Sequence, residues 1–176
     1  SRKPLRLAIT ASSLSKGTLR ASDILECDEH GTVVGKSKGR PSAETLLHVE
    51  IARRRGAGAV LHTHSVWSTM LSDAWAPAPD ASVVIEGYEM LKGLAGVTSH
   101  EHRELIPIVD NDQNMTRLAH RVGETLERHP GAHAFLLRRH GLYTWGESLA
   151  DAERHVEILE FLFETIGRTQ GGPSWR

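Results

Sequence analysis

Apolar positions along the chain fall in short runs that alternate with stretches of helical spacing, so strands and helices follow one another throughout. Leu5 to Ala11 reads as a strand, and Ile24 to Cys27 with Thr32 to Val34 as a hairpin around the turn Glu29-His30-Gly31. Ser42 offers the N-cap of a helix carrying Leu46, Leu47, Glu50 and Ile51. The run Ala57 to Leu61 predicts a buried strand leading into His62-Thr63-His64, after which Ser65 caps a helix through Leu71. Ser82 to Ile85 and Leu105 to Val109 are further strands. A helix starts at Asn111 or Asp112, and its Met115, Leu118, Ala119, Val122 and Leu126 recur along one face. Phe135 to Leu137 and Leu142 to Trp145 predict strands flanking His140-Gly141. The last helix is the clearest: Ser148 caps it, Asp151 stands three residues on, and Ala152, Val156, Leu159, Phe163 and Ile166 form its buried stripe. Gly167 and then Gly171-Gly172-Pro173 are expected to end it. Mixed elements with hairpin-like connections predict a layered α/β sandwich.

The 176 residues, 39% hydrophobic and 24% charged, suffice for one core, and no repeat or linker divides them, so a single domain over residues 1–176 is expected. A net charge of −1 with interspersed signs excludes nucleic acid or an anionic membrane as the main partner, though not a small anion bound by a local patch. Cys27 stands alone, which rules out an internal disulfide and a cysteine-rich metal site and fits a reducing, cytoplasmic setting. No apolar run is long enough to span a bilayer.

The eleven histidines matter only if some converge. Side chains two apart on a strand face the same way, so His62 and His64 suit one metal, and equally a pair of half-exposed histidines at a strand end. His140, between a strand and Gly141, would supply the third imidazole of an open, catalytic arrangement. A second pair, His100 and His102, lies in a polar context that reads as solvated loop. No carboxylate follows His64 as a cupin-type site would need, Asp-His does not follow as in metallo-hydrolases, and neither a His-Glu-x-x-His helix nor a Gly-x-Ser-x-Gly elbow occurs.

Four segments carry a wider resemblance: Arg55 to Ser65, Glu86 to Gly93, Ile106 to Gln113 and Arg138 to Glu147. In order and over nearly the whole chain they resemble the class II aldolase/adducin superfamily, and within it the branch that dehydrates methylthioribulose 1-phosphate in methionine salvage. The resemblance implies a three-layer α/β/α sandwich with a central, mostly antiparallel sheet, and a homotetramer with sites at subunit boundaries. It implies one zinc ion per subunit on His62, His64 and His140, and Glu89 as the acid/base. Glu44, in Pro41-Ser42-Ala43-Glu44, corresponds to a further ligand or base in the superfamily's aldolases, although a carboxylate in a first helical turn is favoured by the dipole in any case. Ser12, Lys16 and Ser42 resemble the loops that hold phosphate, with Ser13 where the family has glycine. The resemblance places the family's upstream helix and Gly-Asn loop ahead of Ser1-Arg2-Lys3, so either the sequence is a truncated form or this member is expected to lack that part of the phosphate site. A sugar-phosphate aldolase or epimerase using the same metal, and a non-catalytic adducin-like module, are the rival readings.

Overall fold

The computed structural model describes residues 4–36, 38–74 and 81–170, leaving aside the side chains of Lys16 and Gln170. Strands β1 (Arg6–Thr10) and β2 (Ile24–Asp28) form a small antiparallel sheet. Helix α1 (Thr45–Arg55) leads to β3 (Ala59–Thr63), α2 (Val66–Ala74) and β4 (Ser82–Ile85). A 3-10 turn over Glu89–Gly93 precedes β5 (Glu104–Val109), α3 (Met115–Arg128), β6 (Ala134–Leu137), β7 (Gly141–Gly146) and α4 (Leu149–Gln170). The main sheet has the order β3-β7-β6-β5-β4, and every neighbouring pair is antiparallel except β5 with β6.

Period-two alternation divides the strands between two cores. Val83, Ile85, Ile106, Ile108, Leu136 and Leu142 pack with α2 and α4 on one face, while Val109, Phe135, Leu137, Tyr143 and Trp145 pack with α1 and α3 on the other. The predicted three-layer α/β/α sandwich is therefore what the chain forms. Phe163 of α4 is fully buried in the first of these cores. Phe163→Ala is expected to destabilise the protein by about 3–5 kcal/mol in denaturant unfolding, the cost of a large cavity under a sheet.

Several boundaries differ from expectation, each for an identifiable reason. Thr32 to Val34 forms no strand; β2 pairs with β1 over five residues, and only a single bridge joins Cys27 to Val33. Helix α1 starts later, with Glu44 rather than Ser42 as its N-cap, because Ser42 makes a preceding turn whose Oγ and carbonyl accept the N–H groups of Glu44 and Thr45. Helix α3 is capped by Asn114, whose Oδ1 accepts the Arg117 N–H, since Asp112 is taken up by Arg117, Arg121 and the Asn114 N–H. Helix α4 runs through Gly167, where a Cβ would lie 2.4 Å from the Trp67 ring: the glycine admits α2 rather than ending the helix. Gly171-Gly172-Pro173 lie outside the described residues. Among the described residues no helix is long and apolar enough to cross a membrane.

Candidate metal centre

Strand β3 is displaced two residues toward the histidines, so His62 lies within it, opposite Tyr143 on β7, and His64 lies just past its end. His140 belongs to the tight turn between β6 and β7, beside that same sheet end. The turn carries strain, for Arg139 holds a left-handed φ of 55° that side-chain-bearing residues rarely adopt. It is pinned from α2: the Arg139 N–H donates to Ser72 Oγ, the Arg138 guanidinium to the Ser72 carbonyl, and Arg139 pairs with Asp73. Gly141 is required next, because a Cβ there would meet the Thr63 carbonyl oxygen at 2.1 Å. Helix α1 delivers Glu44 from its N-cap.

These four side chains converge. His62 Nε2 is 2.7 Å from His64 Nε2, which is 3.0 Å from His140 Nε2. The Glu44 carboxylate lies 3.4 Å from His62 Nε2 and 3.2 Å from His140 Nε2. His62 Nδ1 stands 2.8 Å from the Leu142 carbonyl, an acceptor only, so Nδ1 carries the proton and the Nε2 lone pair faces the cluster. Burial holds the His62 imidazole down at about 4, against the opposing pull of Glu44, and lowers His140 as well. Both shifts favour the neutral ring, the form in which an imidazole can bind a metal. Three imidazoles and a carboxylate within reach of one point form a group able to hold a metal ion.

Tyr143 was not foreseen as part of this site. Its ring stacks on His62 (centroids 4.0 Å apart, planes 15° apart) and on Phe135 (4.9 Å, 6°), following the strand register His62–Tyr143–Phe135. This ladder fixes the plane of the His62 imidazole. The phenol oxygen is buried beside the Glu44 carboxylate, and burial first, then the charge of that carboxylate and a hydrogen bond with it, drive its pKa up. Tyr143→Phe keeps the stack and removes the hydroxyl that meets the Glu44 carboxylate, so stability is expected to fall by about 1–2 kcal/mol in denaturant unfolding, and an unchanged stability would mean that the hydroxyl does not serve Glu44.

The remaining predicted residues are distributed more widely. Ser12 and Ser42 flank the bridge between Ala11 and Pro41, since the Ser12 N–H donates to the Arg40 carbonyl and the Ser42 N–H to the Thr10 carbonyl. Ser13 takes a φ of 64°, the left-handed region that suits the glycine the family has there. The Lys16 side chain lies outside the described residues. Glu89 differs most from expectation. A general acid/base here calls for partial burial and a raised pKa, but Glu89 is 72% exposed and hydrogen-bonded to Lys92 Nζ at 2.7 Å. That contact, with help from His100, holds its carboxyl below the usual range, and among the described residues it does not belong to the group formed by His62, His64 and His140. Its 3-10 turn is nevertheless firmly docked, for Arg154 donates to the Gly93 carbonyl and the Ala95 N–H to His155 Nε2.

The sequence model for the class II aldolase and adducin N-terminal domain matches residues 1–166. The chain belongs to this family. Among its relatives, the methylthioribulose-1-phosphate dehydratase of Methylococcus capsulatus is 49% identical over 167 residues, covering 94% of this chain and 79% of that one. The enzyme of the same name from Pseudomonas fluorescens is 46% identical, covering 95% and 79%. Solved class II aldolase folds superpose closely. YgbL of Escherichia coli matches with a TM-score of 0.71 at 27% identity over 89% of this chain and 70% of that one. An L-fuculose 1-phosphate aldolase matches with a TM-score of 0.73 at 22% identity over 96% and 72%, which speaks for the fold alone.

Proposed function

We propose that this chain, as one catalytic domain, is a methylthioribulose-1-phosphate dehydratase, eliminating water from 5-methylthioribulose 1-phosphate to give 2,3-diketo-5-methylthiopentyl 1-phosphate in methionine salvage, in the cytoplasm. The observation that carries this reading is the 49% identity to a dehydratase across nearly the whole chain, combined with the converging His62, His64, His140 and Glu44. The donor set fits zinc, with His62, His64 and His140 as ligands and Glu44 as a further ligand or a base. Zinc bound there would supply Lewis-acid polarisation of the substrate's oxygens.

The protein's own groups do the rest. Loss of water starts with removal of the C3 proton, acidified by the adjacent ketone, and ends with expulsion of the C4 hydroxyl, which needs a proton. One carboxyl that accepts the first proton and returns one to the departing hydroxyl serves both steps, and Glu89 is assigned that role. Ser12, Ser42 and Lys16 are assigned to the phosphate.

Glu89 reaches solvent rather than the histidines of its own chain, which supports a homotetramer whose sites lie at subunit boundaries, with Glu89 presented to a neighbour's metal centre. Burial at such a boundary would remove the water that favours its ionised form and raise its pKa toward the value the chemistry needs. Sedimentation should give a tetramer, and a fully active monomer at micromolar concentration would overturn the shared site.

The superfamily's aldolase chemistry is the second reading, favoured by a metal cluster that serves either reaction. Product analysis with methylthioribulose 1-phosphate separates them: one diketone supports dehydration, whereas two shorter fragments mark retro-aldol cleavage.

A further inference from the structure

A second group of ligand-bearing side chains sits away from the centre just described. His133 immediately precedes β6, whereas His140 follows it, so the two groups occupy opposite ends of that strand. Glu104, the first residue of β5, is 1% exposed, yet no lysine or arginine makes a salt bridge with it among the described residues. Its Oε2 is instead 2.7 Å from His102 Nε2 and 2.9 Å from His133 Nδ1. The solvated loop expected around His102 is thus anchored on a buried carboxylate.

We propose that His102 Nε2, Glu104 Oε2 and His133 Nδ1 form a second divalent-metal site, of the kind that takes Zn2+, tying the start of β5 to the start of β6.

Three features support it. The three donor atoms all lie within 4.8 Å of one another, and two imidazoles with a carboxylate are a donor set suited to a borderline cation. The atoms not facing the common point are already held. His133 Nε2 stands 2.8 Å from the Ala95 carbonyl, and Glu104 Oε1 accepts the His133 backbone N–H at 2.9 Å. The His133 carbonyl in turn accepts the Thr144 hydroxyl at 2.8 Å. A ligating histidine that gives its other N–H to a carbonyl, beside a carboxylate whose second oxygen is hydrogen-bonded, is how outer partners aim metal ligands. Finally, one side is open, for the His102 side chain is 33% exposed while that of His133 is 16% exposed. The ion would replace the protons shared between the two imidazoles and Oε2. Donor atoms around a tetrahedral ion stand roughly 3.4 Å apart at the usual bond lengths of about 2.1 Å, so the contacts of His102 and of His133 with Glu104 Oε2 both have to widen, each by less than about 1 Å.

The test is Zn2+ titration against a chromophoric chelator. The unmodified protein should bind two equivalents per chain and His62→Ala/His140→Ala one. Adding His102→Ala to that double variant should remove the last equivalent, or weaken it beyond the 10–100-fold typical of losing an outer partner. Zn2+ should also raise the melting temperature of the double variant but not of the triple one. Glu104→Gln, tested in parallel with circular dichroism as the control for folding, should behave like His102→Ala. A His62→Ala/His140→Ala protein that binds no Zn2+, or a second equivalent that survives His102→Ala, leaves a hydrogen-bonded carboxylate only and overturns the site without touching the dehydratase reading.

Discussion

His62→Ala and His140→Ala are each expected to abolish turnover and to strip the metal from the centre that also holds His64 and Glu44. The geometry makes the loss steep. Each imidazole presents Nε2 within 3.4 Å of a Glu44 oxygen, so removing either leaves a gap that no neighbouring side chain among the described residues fills. The charge stabilisation a bound cation contributes is several kcal/mol, which corresponds to roughly a thousandfold or more in rate. His140→Ala should be the cleaner experiment. His62 also stacks on Tyr143 and bonds the Leu142 carbonyl, so its loss weakens packing as well as ligation. Metal content by elemental analysis, read beside circular dichroism, checks the result. Full occupancy of this centre in both variants would refute the site.

Glu89→Gln is expected to leave the metal in place while turnover falls by about 10²–10⁴-fold, the usual cost of losing a general acid/base. Glutamine keeps the shape and cannot carry a proton. Because Glu89 is exposed, with Lys92 and His100 as its close partners among the described residues, stability should hardly change, so a rate effect cannot be blamed on unfolding. In the unmodified enzyme, solvent deuterium should appear at C4 of the product, where the enol left by elimination is protonated. Normal turnover in Glu89→Gln would shift the role of base to Glu44. Mixing Glu89→Gln with His140→Ala chains adds a test of the shared site: assembled hybrids that pair an intact Glu89 with an intact metal centre should recover activity, and no recovery would place both groups within one chain.

Much of the architecture was legible in the chain itself because it rests on local rules. Alternation along Phe135 to Leu137 and Leu142 to Trp145 divides two cores at a spacing of two residues, and Ser148 with Asp151 closes the start of α4 within one turn. His62, His64 and His140 could be singled out for a similar reason, since two share a strand face and the third stands beside a glycine at a strand end. Boundaries failed where a tertiary contact outweighed a local signal. Gly167 looks like a helix end but is the place where Trp67 packs, and Ser42 looks like an N-cap but spends its oxygens on the turn that precedes one.

Tertiary structure alone decided which side chains meet. Tyr143 reaches His62 through the β3–β7 register, and Glu104 finds His102 and His133 across 29 residues of chain in the second case; neither pairing leaves a periodic trace. Glu44 joins the histidines only because α1 begins one residue after it, which turns a first-turn carboxylate into a capping position facing the sheet end. The state of Glu89 depends on more still. A carboxyl's pKa follows the water and charge around it, and in one chain those are solvent and Lys92. Residue order determined which groups this protein carries and on which strand faces; the packing of distant segments determined their distances, and distance and burial set their chemistry.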